Sequence, residues 1–154
     1  MTQRVDLATV MDRLTIDELI TSYAVAVDDA DWSAYRALFT QEGRADYRSS
    51  GGVEGPAAEV ADWMAETMRL FPVRQHLIVN RRLHIQDLGG YPGDRAEVQA
   101  DYVNPMRLES GDDLVSGGRY TFSLLRTDAG WRLRTVVIHE KWRRGAGAGG
   151  PSGD

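Results

Sequence analysis

Proton transfer is the chemistry this sequence is best equipped to perform. Its 154 residues include three histidines, His76, His84 and His139, and no cysteine. An imidazole, with a reference pKa of about 6.5, can take and return a proton near neutral pH. The lack of cysteine removes disulfides, thiolate metal sites and a cysteine nucleophile. An all-histidine metal centre would need every imidazole in the chain, so no metal site is expected. Six tyrosines supply phenols, and in a dry pocket a phenol donates well to an oxygen that is gaining charge. Carboxylates gather at Asp28, Asp29 and Asp31, where solvation or helix capping is the ordinary role.

Composition narrows the class of protein. A formal charge of −5 argues against nucleic acid as a partner, since phosphate binding needs a net basic face. Arg81–Arg82 and Arg143–Arg144 are short basic pairs on what reads as solvated surface. No stretch approaches the roughly 20 apolar residues of a membrane helix, and the N-terminus lacks the apolar region of a signal peptide. A cytoplasmic protein that leaves membranes alone is the expectation. With 42% apolar residues the chain can bury a core as one domain over residues 1–144. Residues 145–154, rich in glycine, have nothing to bury and read as a flexible tail.

The first half of the chain reads as helical. Val10, Met11 and Leu14 open an apolar stripe, and Thr15-Ile-Asp-Glu18 has the spacing of a capping box. Ile16, Leu19, Ile20, Tyr23 and Val27 then fall on one helical face. Asp31 can cap a short second helix that buries Trp32, Tyr35, Leu38 and Phe39. Residues 40–43 read as a turn and 44–50 as a strand. Pro56 sits where a third helix starts, with Val60, Trp63, Met64, Thr67 and Phe71 inward and Pro72 ending it.

The second half reads as strands. Over residues 73–86, Leu77, Val79, Leu83 and Ile85 share one parity, and His76, Ile78 and Asn80 the other. Residues 89–94 form a turn cluster, after which strands over 96–108, 114–126 and 131–142 complete a meander. Gly117–Gly118 marks a bulge or a close approach. The pattern is α+β: a curved antiparallel sheet shaped as a cone, with N-terminal helices enclosing a pocket.

The segment Tyr23-Ala-Val-Ala-Val-Asp28-Asp-Ala-Asp31-Trp32, with Ala37-Leu-Phe39, resembles the opening of the SnoaL-like branch of the nuclear-transport-factor-2-like superfamily. The likeness continues through Asp46-Tyr47-Arg48-Ser49, Arg74-Gln75-His76 and Asp128-Ala-Gly-Trp131, covering about Leu14 to Trp142. It implies a cystatin-like α+β barrel. That branch includes scytalone dehydratase, bile-acid dehydratase and polyketide cyclases, with ketosteroid isomerase more distant. Asp28 and His76 match the paired aspartate and histidine of the two dehydratases. Tyr23 matches a catalytic tyrosine of bile-acid dehydratase, and Tyr47 a carbonyl-binding tyrosine of scytalone dehydratase. There are departures: Val27 stands where scytalone dehydratase has a second tyrosine, and its second histidine falls near Asn104 or Pro105. The base position of ketosteroid isomerase carries Tyr47, which is not a carboxylate.

The resemblance implies a dehydratase that needs no cofactor. His76 would shuttle the proton, Asp28 would partner it, and Tyr23 and Tyr47 would bind the carbonyl of a small hydroxylated cyclic or aromatic substrate. Asn80, Asn104, Tyr120 and Trp63 are the candidates for further substrate contacts. Isomerisation through a dienolate and polyketide cyclisation use the same kinds of group. A binding or assembly module that kept the cone without the chemistry is the non-enzymatic alternative, and a homodimer or homotrimer is expected.

Overall fold

The computed structural model describes residues 7–86 and 94–145. In chain order its elements are α1 (Leu7–Asp28), α2 (Trp32–Ala37), β1 (Phe39–Asp46), a 3-10 turn (Arg48–Ser50), β2 (Glu54–Pro56) and α3 (Ala57–Met68). Strands β3 (Val73–Arg74), β4 (Leu77–Gln86), β5 (Arg95–Arg107), β6 (Asp113–Thr127) and β7 (Gly130–Gly145) follow. The architecture is the expected α+β cone: a strongly curled sheet with the helices packed on β1, β2 and β4. The turn cluster read at 89–94 falls outside the described residues except for Asp94, as does the tail beyond Gly145. Among the described residues no helix is long and apolar enough to cross a membrane.

Helix α1 buries Ile16, Leu19, Ile20, Tyr23 and Val27, the face its spacing predicts. It starts well before the expected capping box, because residues 7–14 contain neither glycine nor proline to stop it. Thr15–Glu18 therefore lies inside the helix, and Val10, Met11 and Leu14 are 40, 54 and 61% exposed. The helix ends in a Schellman arrangement, with Asp31 N–H donating to the Ala26 carbonyl and Ala30 N–H to that of Val27. Ala30 takes the left-handed position, at φ 54°. Asp31 then caps α2 as expected, its Oδ1 accepting from Ala34 N–H at 3.0 Å.

Three local expectations are corrected. Residues 40–43 belong to strand β1, but pairing with β7 slips between Phe39 and Arg44, so the turn signal marks an irregular strand. Gly43 is needed there, since a Cβ would sit 2.8 Å from Phe39 Cβ. The strand stops at Asp46, whose carboxylate accepts from the Arg48 backbone and guanidinium, and Tyr47 stands at the strand's end. In β4 the pairing with β5 shifts between Val79 and Arg82, and Asn80 adopts φ 49°. That bulge reverses the parity: Ile78 is buried before it, while Leu83 and Ile85 pack on the core after it.

The sheet runs β2-β1-β7-β6-β5-β3, with β4 also paired to β5. It is mixed, not wholly antiparallel, because β1 lies parallel to β7. A parallel neighbour needs a long connection, and everything from β2 to β6 lies between these two strands. The slip at Gly117–Gly118 is present as expected. There the indole of Trp142 lies on Gly117 so closely that a Cβ would be 2.1 Å from its ring.

One ion cluster ties α1 to the sheet. The Arg126 guanidinium donates to both oxygens of Asp12 at 3.1 and 2.5 Å and to Asp94 at 3.2 Å. It also stacks 4.5 Å over the Trp131 ring, whose Nε1–H donates to Asp12. Asp94 is 1% exposed. Replacing Arg126 with Met should leave that buried carboxylate without its cation and destabilise the protein by about 3–5 kcal/mol. Chemical denaturation measures this; an unchanged midpoint would show that the cluster holds nothing.

Candidate active site

A cavity of about 210 Å³ opens between α1, α3 and the concave face of β5 to β7. It is smaller than a pocket for a drug-sized ligand, and so suits a molecule of one or two rings. Trp63, Met64, Met68 and Phe71 supply an apolar wall from α3 and the segment after it. The polar groups are few and come from separate elements.

His76 follows β3 and is 8% exposed. Its Nδ1 lies 2.7 Å from Asp28 Oδ1, and its backbone N–H donates to both oxygens of the same carboxylate at 2.9 and 3.1 Å. A carboxylate only accepts, so Nδ1 carries the proton and Nε2 the lone pair of the neutral ring. Nε2 takes no hydrogen bond from the described residues, and the ring lines the cavity. Asp28 does not line it. Five residues separate Tyr23 from Asp28, about 140° around a helix, and α1 remains helical through both. Tyr23 thus faces the cavity while Asp28 reaches His76 from behind. Arg74 steadies this corner, donating to the Val27 carbonyl at the end of α1, to that of Met68 at the end of α3 and to that of Phe71 beyond it.

Tyr23, Tyr47 and Tyr120 also line the cavity. The Tyr23 and Tyr47 hydroxyls are 2.5 Å apart, and Tyr47 lies 2.8 Å from the hydroxyl of Tyr35 behind it. Tyr120 packs edge-on against the Tyr23 ring, and its hydroxyl accepts from Asn104 Nδ2 at 3.3 Å. Burial pushes the pKa values of all four phenols well above the ordinary tyrosine value, because a phenolate there would lose its hydration. They are therefore neutral donors at any physiological pH.

The structure brings His76, Asp28, Tyr23, Tyr47, Asn104, Tyr120 and Trp63 together at or directly behind one cavity. Asn80 is not with them. Its bulge turns it to the exposed outer face. Sequence reasoning missed Tyr35 as part of the phenol network, although a fully buried tyrosine usually has a hydroxyl partner. It also missed Ser116 and Arg143, which line the cavity and are joined through Glu140.

The fold and this site define a member of a known class of small α+β domains. Residues 8–137 match the model of the SnoaL-like domain, and the chain belongs to that family, within the nuclear-transport-factor-2-like superfamily. It is 30% identical over 129 residues to the uncharacterized protein Rv2910c of Mycobacterium tuberculosis, covering 82% of this chain and 83% of that protein. Among solved structures it resembles a Novosphingobium aromaticivorans protein provisionally named an aromatic ring hydroxylase. That likeness has 25% identity and a TM-score of 0.77 over 89% of this chain and 94% of the other. A protein of the same organism provisionally named scytalone dehydratase has 14% identity and a TM-score of 0.73 over 88 and 87%. A type 2 LinA hexachlorocyclohexane dehydrochlorinase has 18% identity and a TM-score of 0.74 over 94 and 99%. The last two likenesses are of fold.

The raised phenol values have a consequence for stability. Above about pH 10 the unfolded chain releases protons that the folded chain holds, so stability is full below that pH and falls as pH rises beyond it. Titration of tyrosinate absorbance should show most phenols ionising only together with unfolding. Ionisation of all of them in the folded protein near pH 10 would contradict the buried network.

Proposed function

We propose that this chain is a cofactor-independent lyase that removes water from a small hydroxylated cyclic or aromatic carbonyl compound. The observation that carries this reading is the His76 imidazole, fixed through Nδ1 by Asp28 in the wall of a cavity that also holds linked, neutral phenols. Nε2 removes the proton α to the carbonyl, and Asp28 stabilises the resulting imidazolium. Charge moves onto the carbonyl oxygen, which accepts a hydrogen bond from the Tyr23–Tyr47 pair, from whichever phenol does not spend its hydrogen on the other. Such donors are worth roughly 2.7–4 kcal/mol each in acyl-transfer sites. Collapse of the enolate breaks the bond to the β-hydroxyl, which takes the proton from His76 and departs as water. The fold neighbours lend support, since one is named a dehydratase and another a dehydrochlorinase, names that both denote elimination.

A suitable test compound is 3-hydroxy-1-tetralone, whose dehydration gives 1-naphthol with a large ultraviolet change. His76→Ala should lower kcat by about 10²–10⁴-fold while the circular dichroism remains that of the folded protein, with the unfolding midpoint lowered only as far as the loss of one hydrogen bond to Asp28 requires. Asp28→Asn should also slow turnover, because an amide does not stabilise the imidazolium as a carboxylate does. Turnover by His76→Ala within a few-fold of the parent would remove His76 from the mechanism.

A further inference from the structure

The strand registers line up a row of polar side chains across the concave wall. Arg74 pairs with Met106 and Leu77 with Val103, which sets His76 opposite Asn104. Asn104 pairs in turn with Ser116, and Ser116 with Arg143. All four line the cavity. The hydroxyl of Ser116 donates to Glu140 at 2.6 Å and meets Tyr102 at 3.0 Å. Arg143 donates to Glu140 and to the Ser50 carbonyl. His76 is held by Asp28.

Asn104 is the exception in this row. It is 3% exposed, and its Nδ2 donates to the Tyr120 hydroxyl. Its Oδ1 is fully buried and has no hydrogen-bond partner among the described residues. A buried carbonyl oxygen left unmatched is unfavourable, and this one belongs to a cavity-lining side chain. Cross-strand neighbours have Cβ atoms about 4.5–5.5 Å apart, so a ligand donor that meets Oδ1 also lies within reach of the His76 ring.

Resting on the lyase reading above, we propose that Asn104 Oδ1 accepts the O–H of the departing hydroxyl, and so selects a hydroxyl over a halogen at that carbon. A carbon-bound hydroxyl carries a hydrogen to donate; a carbon-bound halogen carries none. With its O–H bound to Asn104, the oxygen keeps its lone pairs for the proton that His76 took from the α-carbon. The carbon–oxygen bond then breaks, the oxygen receives that proton, and water leaves with no change of oxidation state. The amide anchors the leaving group and takes no proton itself.

Three compounds that cannot eliminate through an enolate, because their α-carbon bears no hydrogen, isolate this contact from the proposed catalysis. They are 2,2-dimethyl-1-tetralone and its 3-hydroxy and 3-chloro derivatives, titrated calorimetrically against the full chain. The hydroxy compound should bind at least about tenfold tighter than the other two, as expected for one buried hydrogen bond of about 1.4 kcal/mol. Asn104→Leu should bring the three affinities within about twofold of one another, and Asn104→Asp, which keeps an acceptor oxygen, should retain the preference for hydroxyl. Equal affinities in the parent chain, no measurable binding of any of the three, or a preference that survives in a folded Asn104→Leu would each overturn the proposal. The parent-chain measurement decides the matter even if Asn104→Leu does not fold. Failure of the chain to dehydrate 3-hydroxy-1-tetralone, with the hydroxyl preference intact, would instead count against the lyase reading alone.

Discussion

The carboxylate of Asp28 accepts from both the backbone and the ring N–H of His76, and the arrangement of the site follows from that grip. The carboxylate sits in the last turn of α1, and the histidine lies where the chain passes from β3 to β4. Hydrogen bonds to a charged group contribute about 1.5–3 kcal/mol each, so this contact is also a fastening between the helix and the sheet. On the other side of the same corner, Arg74 binds carbonyls at the ends of both α1 and α3, where a cation is favoured by the helix dipoles. The imidazole is left with one orientation and one tautomer, and with a single free nitrogen.

The placement of charge around the cavity is as informative as the base. No carboxylate lines it among the described residues. Asp28 lies behind His76, and Glu140 engages Ser116 and Arg143. The phenols are held neutral by burial. An oxygen that gains negative charge in this space meets donors and no anion, in surroundings where each donor acts more strongly than it would in water. A carboxylate base in the wall would do the opposite. The positions of Asp28 and Tyr47 therefore suit a reaction through an enolate, with the negative partner of the base kept one side chain away.

Much of this was legible from residue order, and the failures have physical causes. The buried stripe of α1 and the Asp31 cap of α2 are local, so spacing alone carries them. The pairing of His76 with Asp28 spans 48 residues and has no local signature; only the likeness to the dehydratases suggested it. The angular offset between Tyr23 and Asp28 is what lets a regular helix put one side chain in the wall and the other behind it. Asn80 was assigned to the His76 face by parity, and parity cannot reveal a bulge between them. The parallel pairing of β1 with β7 depends on which strands remain free after the meander forms. Tyr35 lay in the predicted buried face of α2, but periodicity says nothing about where a hydroxyl points.

Bulges decide more than local shape here, because a shift of one residue moves a strand's whole pattern to the opposite face. On β4 the irregularity at Asn80 lets Ile78, just after His76, be buried while Leu83 and Ile85 still pack on the core further along. On β6 the register to β5 is unbroken, so Leu114, Ser116, Tyr120 and Phe122 share the inward face, and the slip at Gly117–Gly118 is taken up by β7, where Lys141 is the extra residue. On β4, without its break, one alternation could not bury Ile78 and also Leu83 and Ile85. The sheet has a half that is packed, around Val98, Phe122, Leu124 and Leu133, and a half that is hollow. Bulges are often found beside active sites, and here the one on β4 falls just after His76 and turns Asn80 away from it.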